Sequence, residues 1–200
     1  MAAPLTFYEF FAGGGMARIG LGPNWRCTFA NEWCDKKAAS YKAHFGGDEL
    51  RVDDVAKLSV LDLPGVPTLV WGSFPCQDLS LAGPGAGLNG DRSGTFKPFW
   101  NLISEMASLK RAPKIVVLEN VVGALSSHGG RDFTIIVDSL AHGGRCAISA
   151  SVSLTTPVPN QVWHTRSLME AHSRLPERLR NVWEWWTLPL PNVHITLLNE

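Results

Sequence analysis

The 200-residue chain is 45% hydrophobic and 18% charged, and its 18 basic and 18 acidic side chains give a formal net charge of zero. This composition is that of one globular domain with a sizeable core and excludes global disorder, while neutrality excludes a general attraction to phosphate, so a nucleic-acid partner must be held by local charge. No stretch approaches the roughly 20 apolar residues of a membrane span, and Met1 to Leu5 carry no targeting pattern, which makes the cytoplasm the expected compartment.

The opening Leu5-Thr6-Phe7-Tyr8-Glu9-Phe10-Phe11 is aromatic and β-favouring, and it runs through Ala12-Gly13-Gly14-Gly15 into the helical segment Met16 to Leu21. A strand, a glycine turn and a helix in that order let backbone N–H groups approach a ligand where Cβ is missing. A second strand is expected at Trp25 to Asn31, and a helix with a lysine-rich outer face at Cys34 to His44. Glu32 closes that strand 17 to 19 residues after the glycines, where nucleotide-binding α/β domains place a carboxylate for the ribose hydroxyls. Trp33 beside it suits stacking on an adenine or plain packing. Asp54, near the end of an expected third strand, suits the adenine amino group or, with Asp53, the cap of a helix beginning near Val55.

The apolar runs Thr68 to Trp71 and Ile115 to Leu118 have the near-continuous hydrophobicity of strands buried on both faces of a parallel sheet. Between them lie a Gly- and Pro-rich loop, Leu81 to Gly94, and a helix expected over Pro98 to Leu109. The first run gives way to Gly72-Ser73-Phe74-Pro75-Cys76-Gln77, which sets the Cys76 thiol at the rim of the sheet; just past the second, Glu119 is placed to share the same cleft. A thiol attacks as thiolate, so Cys76 as nucleophile requires a helix N-terminus, backbone amides or a cation nearby. Cys27, Cys34 and Cys146 read as buried small hydrophobes, and without a C-x-x-C pair neither a metal site nor a disulfide is expected. A helix around Asp132 to Ala141, a strand around Arg145 to Leu154 and a Trp- and Pro-rich tail complete a doubly wound α/β reading, with ligands at the carboxyl ends of the strands.

Phe11-x-Gly13-x-Gly15, Pro75-Cys76-Gln77 and Glu119-Asn120-Val121, in this order and spacing, resemble the DNA cytosine-5 methyltransferase family over about Thr6 to Val122, and Asn89 to Phe96 resembles the loop and helix start that follow the family's catalytic cysteine. The resemblance implies a Rossmann-like S-adenosylmethionine-dependent methyltransferase fold with a mostly parallel sheet. It implies an enzyme that methylates cytosine C5 in DNA and releases S-adenosylhomocysteine, with RNA as the nearest alternative substrate. Cofactor contacts then fall on Phe11, Gly13, Gly15, Glu32, Trp33, Asp54, Val55 and Phe96. Cys76 attacks C6 of a base flipped out of its stack, Glu119 hydrogen-bonds or protonates N3, and Pro75, Gln77 and Asn120 support the two; no metal is implied.

On this reading residues 1–156 form the cofactor-binding and catalytic domain, and residues 157–200 a divergent segment and tail packed on it or linking to a recognition module. The family's Gln-x-Arg-x-Arg segment is altered: Gln161 is present, Trp163 and Thr165 stand in the arginine places, and Arg166, displaced by one residue, is the candidate replacement. No target-recognition domain is visible. A second reading is therefore a truncated or degenerate module that binds the cofactor or a partner protein and needs another chain for turnover. Arg166, Arg174, Arg178 and Arg180 offer local positive charge, and the tryptophans from Trp183 to Trp186 a docking surface.

Overall fold

In the computed structural model, which describes residues 5–75, 93–121, 124, 127–142, 149–155 and 193–197, the aromatic opening run folds as β1 (Leu5–Phe10) and passes through the glycines into α1 (Met16–Leu21). Then follow β2 (Trp25–Glu32), α2 (Asp35–Phe45), β3 (Leu50–Val52), β4 (Leu69–Gly72), α3 (Phe96–Ser108), β5 (Ile115–Val121), α4 (Arg131–His142), β6 (Ser149–Thr155) and β7 (Val193–Leu197). The seven strands lie in the order β3-β2-β1-β4-β5-β6-β7, and every neighbouring pair is parallel. The chain builds outward from β1 in one direction and then, from β4, in the other. The crevice between the carboxyl ends of β1 and β4 is thus the switch point where such sheets take their ligands.

The alternation of strand side chains sorts the core into two layers. Tyr8, Phe10, Val70, Val116 and Leu118 pack with Phe99, Ile103 and Met106 of α3 and with Phe133 and Ile136 of α4. Phe7, Cys27, Ala30 and Leu69 face the other way, toward Tyr41 of α2. The spacing of Phe96, Phe99, Trp100, Ile103 and Met106 gives α3 one apolar stripe, and cutting any of its fully buried members to alanine should cost about 2–5 kcal/mol. The long connection from β3 to β4 is held by Arg111, whose guanidinium donates to the carbonyls of Val60, Leu63 and Gly65. Beside it the Tyr8 hydroxyl donates to Pro64 O at 2.6 Å, and burial pushes that phenol up to about 12.

Several boundaries differ from the sequence-based expectation. α3 begins at Phe96 rather than Pro98; β6 is described as Ser149–Thr155, and its expected start at Arg145 lies outside the described residues. Glu119 lies inside β5, not beyond it, because pairing with β6 continues through Glu119↔Ser153 to Val121↔Thr155. Cys27 is buried as expected, but Cys34 is half-buried because it caps the N-terminus of α2, where the chain emerges from the sheet. Cys146 lies outside the described residues. Among the described residues no helix is long and apolar enough to cross a membrane.

Candidate active site

The turn after β1 depends on residues that accept left-handed backbone. Gly13 has φ +57° and Gly15 φ +84°, and a Cβ on Gly15 would fall 2.3 Å from the Phe45 ring and 3.1 Å from Tyr41, so α2 packs directly beneath the turn. Over Gly13 no atom of the described residues lies within 4 Å of where a Cβ would stand, which leaves space on that side of the turn. Phe11 also has positive φ, at 58°, and its ring packs 6.0 Å from that of Phe99.

Glu32, only 3% exposed, spans this turn and the next element. Its Oε2 accepts from the Gly13 N–H at 2.8 Å and its Oε1 from the Cys34 N–H at 2.9 Å. A carboxylate has about four acceptor positions, so two remain after these bonds. Asn31, buried next to it, donates to the carbonyls of Arg51 and Asp53 and thereby fixes the end of β3 against β2. Asp54 follows directly; its Oδ1 accepts from the Ala56 N–H at 2.9 Å, capping the short 3-10 turn Val55–Lys57. Trp33 is 64% exposed, so its indole is presented to solvent beside Glu32. Val55 and Phe96 are buried in the core, with Phe96 stacked on Trp100, so neither side chain is exposed to a ligand in this structure.

Sequence reasoning overlooked Glu9. It is 2% exposed at the end of β1; its Oε1 accepts from the Ala17 N–H in the first turn of α1 at 3.1 Å, and its Oε2 has no hydrogen-bond partner among the described residues. Burial raises its carboxyl from 4.5 to about 7, a rise that the Ala17 and Arg18 backbone N–H groups and the Arg18 guanidinium only partly oppose. The signal was present in the sequence: a single acid inside an otherwise aromatic strand. Arg18 in turn pairs with Glu49 and Tyr41, so β1, α1 and α2 are joined by polar contacts below the glycine turn.

At the other side of the switch point, β4 ends at Gly72, where a Cβ would stand 3.0 Å from Phe99 and 3.4 Å from Leu118. Phe74 then turns back into the core against Phe96 at 5.2 Å. Asn120, 4% exposed, donates from Nδ2 to the Phe74 carbonyl at 3.0 Å. One buried amide therefore fastens the strand that carries Glu119 to the segment that runs through half-buried Pro75 into Cys76. Cys76, Gln77 and the segment from Gln161 to Arg166 lie outside the described residues.

Residues 5–148 match the family model of the C-5 cytosine-specific DNA methylases. The chain belongs to that family. Among its relatives are the type II methyltransferases M.BsuFI of Bacillus subtilis, 34% identical over 68% of this chain and 32% of the relative, and M.NgoBI of Neisseria gonorrhoeae, 36% identical over 68% of this chain and 41% of the relative. M.HaeII of Haemophilus aegyptius is 37% identical over 66% of this chain and 39% of the relative. The matched chain thus spans roughly a third to two fifths of each of these methylases. In fold it is similar to the crystal structure of the S. pombe Dnmt2 methyltransferase, with TM-score 0.53 and 18% identity over 70% of this chain and 41% of that one. The family model spans β1 to α4 and so takes in both the glycine turn and the Asn120–Phe74 link.

Proposed function

We propose that this chain is the cofactor-binding and catalytic part of an S-adenosylmethionine-dependent enzyme that methylates cytosine C5 in DNA, with Cys76 as nucleophile and Glu119 as its acid partner. The observation that carries this reading is the Asn120 to Phe74 hydrogen bond, which fastens the Glu119 strand to the segment leading into Cys76 in a chain of this family. The residues around the glycine turn fit the cofactor: open space over Gly13, a buried Glu32 carboxylate with acceptor capacity for two ribose hydroxyls, and an exposed Trp33 for the adenine face. Phe11, Gly15 and Asp54 complete that pocket. Bound there, S-adenosylmethionine supplies an electrophilic methyl group.

An enzyme reaches C6 and C5 of a paired pyrimidine only after the base leaves the stack. The Cys76 thiolate then bonds to C6, and Glu119 delivers hydrogen-bonding or proton density to N3, so that the electron pair pushed into the ring is available at C5. Once C5 carries its methyl group, loss of the C5 proton returns electrons to the ring and expels Cys76. Pro75, Gln77 and Asn120 hold the two reacting groups in register, and Arg166 is the candidate grip on the substrate strand.

Replacing Glu32 by alanine should weaken binding of S-adenosylhomocysteine by about 1.5–3 kcal/mol, the worth of hydrogen bonds to a charged acceptor, and calorimetry on the two proteins measures it. Unchanged affinity would remove Glu32 from the ribose site. A second reading, a module that binds cofactor but needs other residues for turnover, is favoured by the fraction of each relative that these 200 residues span. Flipping a base costs a few kcal/mol and needs contacts that fill the gap and grip phosphates. The 200 residues alone are therefore expected to bind cofactor yet methylate slowly, and to gain activity from a target-recognition module in cis or on a partner protein. Labelled methyl transfer to DNA and to RNA, with and without such a module, is the decisive assay. Transfer to DNA cytosine supports the main reading; transfer to RNA alone, or none under any condition with cofactor bound, overturns it.

A further inference from the structure

Beyond β5 the chain turns through residues 127–130 into α4, after the carboxyl edge of the sheet where the Glu119 strand ends. His128, Gly129 and Gly130 have φ of 48°, 66° and 87°, three successive left-handed residues. Glycine adopts this backbone freely, but histidine does so at a cost that the surroundings must offset. The offset is visible: His128 Nδ1 lies 2.8 Å from Asp132 Oδ2, and the same oxygen accepts from Ser127 Oγ at 2.5 Å. The Asp132 side chain is 6% exposed whereas that of His128 is 40% exposed, so a buried carboxylate anchors an imidazole at the surface. Its Nε2 has no hydrogen-bond partner among the described residues. Arg131 is exposed next to it, its Nε donating to the His128 carbonyl at 3.2 Å, so two basic side chains share one turn while the acid beside them faces inward.

We propose that His128, with Arg131, is a phosphate contact for the DNA strand whose cytosine enters the cleft. The proposal rests on the reading of DNA as substrate. A neutral chain must grip phosphate locally, and this turn follows the strand whose Glu119 would meet the flipped base, so the base's own phosphates pass this edge of the sheet. A purely structural cap would need only the Nδ1 contact to Asp132. The imidazole adds a second polar nitrogen, held in one orientation at the surface, and Arg131 adds a guanidinium of the geometry that phosphate favours.

His128→Asn separates the two roles, because asparagine tolerates left-handed backbone and its amide can still donate to Asp132, but it has no Nε2. The measurements are affinity of the 200-residue chain for a short cytosine-containing duplex across a salt series, affinity for S-adenosylhomocysteine, and the unfolding midpoint. The expected result is roughly tenfold weaker DNA binding for His128→Asn, with cofactor affinity and midpoint unchanged. Arg131→Gln should weaken DNA binding and reduce the slope of log K against log salt by roughly 0.9. Wild-type DNA affinity in both variants would overturn this contact alone. Parallel losses of DNA affinity, cofactor affinity and midpoint would show a structural role and overturn it too. No DNA binding by the wild-type chain, alone or joined to a target-recognition module, would overturn it together with the DNA reading.

Discussion

Replacing Cys76 by serine is expected to abolish the covalent complex that the wild-type chain forms with duplex DNA carrying 5-fluorocytosine, and to lower methyl transfer to natural DNA by at least about 10³-fold, some 4 kcal/mol of barrier. Fluorine in place of the C5 hydrogen cannot leave as a proton, so the sulfur–C6 bond, once formed and followed by methylation, has no route to break. A serine hydroxyl is almost wholly protonated at neutral pH and lacks the nucleophilicity of a thiolate. The substitution is nearly isosteric, and the Asn120 to Phe74 bond that holds the preceding segment does not involve the sulfur, so the fold should be unaffected. Of the described cysteines, Cys27 offers a poor substitute, because it is buried and its thiol is pushed up to about 11 chiefly by that burial. Electrophoresis under denaturing conditions reads the adduct directly. An adduct formed through another cysteine, with the serine variant still fully active, would remove Cys76 from the mechanism.

Much of the fold was legible because each early strand is a short apolar run closed by glycine or a polar residue. Leu5 to Phe10, Trp25 to Glu32 and Leu69 to Gly72 emerge within a residue or two of where periodicity and punctuation set them. Element ends were less legible, since they are decided by partners distant in sequence: Glu119 belongs to β5 because Ser153 lies opposite it. The same limit applies to the site. Glu32 stood out by its spacing from the glycines, but that its two oxygens already join Gly13 to Cys34 is a property of the folded turn. Asp54 carried two readings in the sequence, and its side chain here makes the cap, a bond that leaves acceptor capacity for a ligand. Asn31 and the Ser127-His128-Asp132 cluster were missed because their roles consist of contacts to backbone or neighbours that no local pattern announces, whereas Glu9 was announced by its place in an aromatic strand and overlooked.

Glu9 makes the sheet edge beneath the glycine turn sensitive to pH, and Glu9→Gln is expected to remove that sensitivity. In the unfolded chain the carboxyl titrates near its ordinary 4.5, whereas in the fold burial raises it to about 7, with one oxygen on the Ala17 N–H and the other without a partner among the described residues. Between those values the native state binds the proton more tightly than the unfolded state. The contribution of Glu9 to stability is therefore fully present below pH 4.5, is lost as pH rises toward 7, and above pH 7 the fold carries a buried, poorly compensated carboxylate. The interval corresponds to a loss on the order of 3 kcal/mol. Glutamine keeps the acceptor for Ala17 and nearly the same volume but cannot ionise, so its contribution is flat across the range. Whatever constant cost the amide incurs at the unpartnered position cancels when two pH values are compared. Part of that loss has already occurred at pH 5, so urea unfolding of both proteins at pH 5 and pH 8 should show the variant gaining roughly 2.5 kcal/mol on the wild type between the two. Parallel pH profiles would mean that Glu9 titrates near its ordinary value in the fold, and that the buried carboxylate has compensation from the neighbouring Arg18 sufficient to hold it ionised throughout.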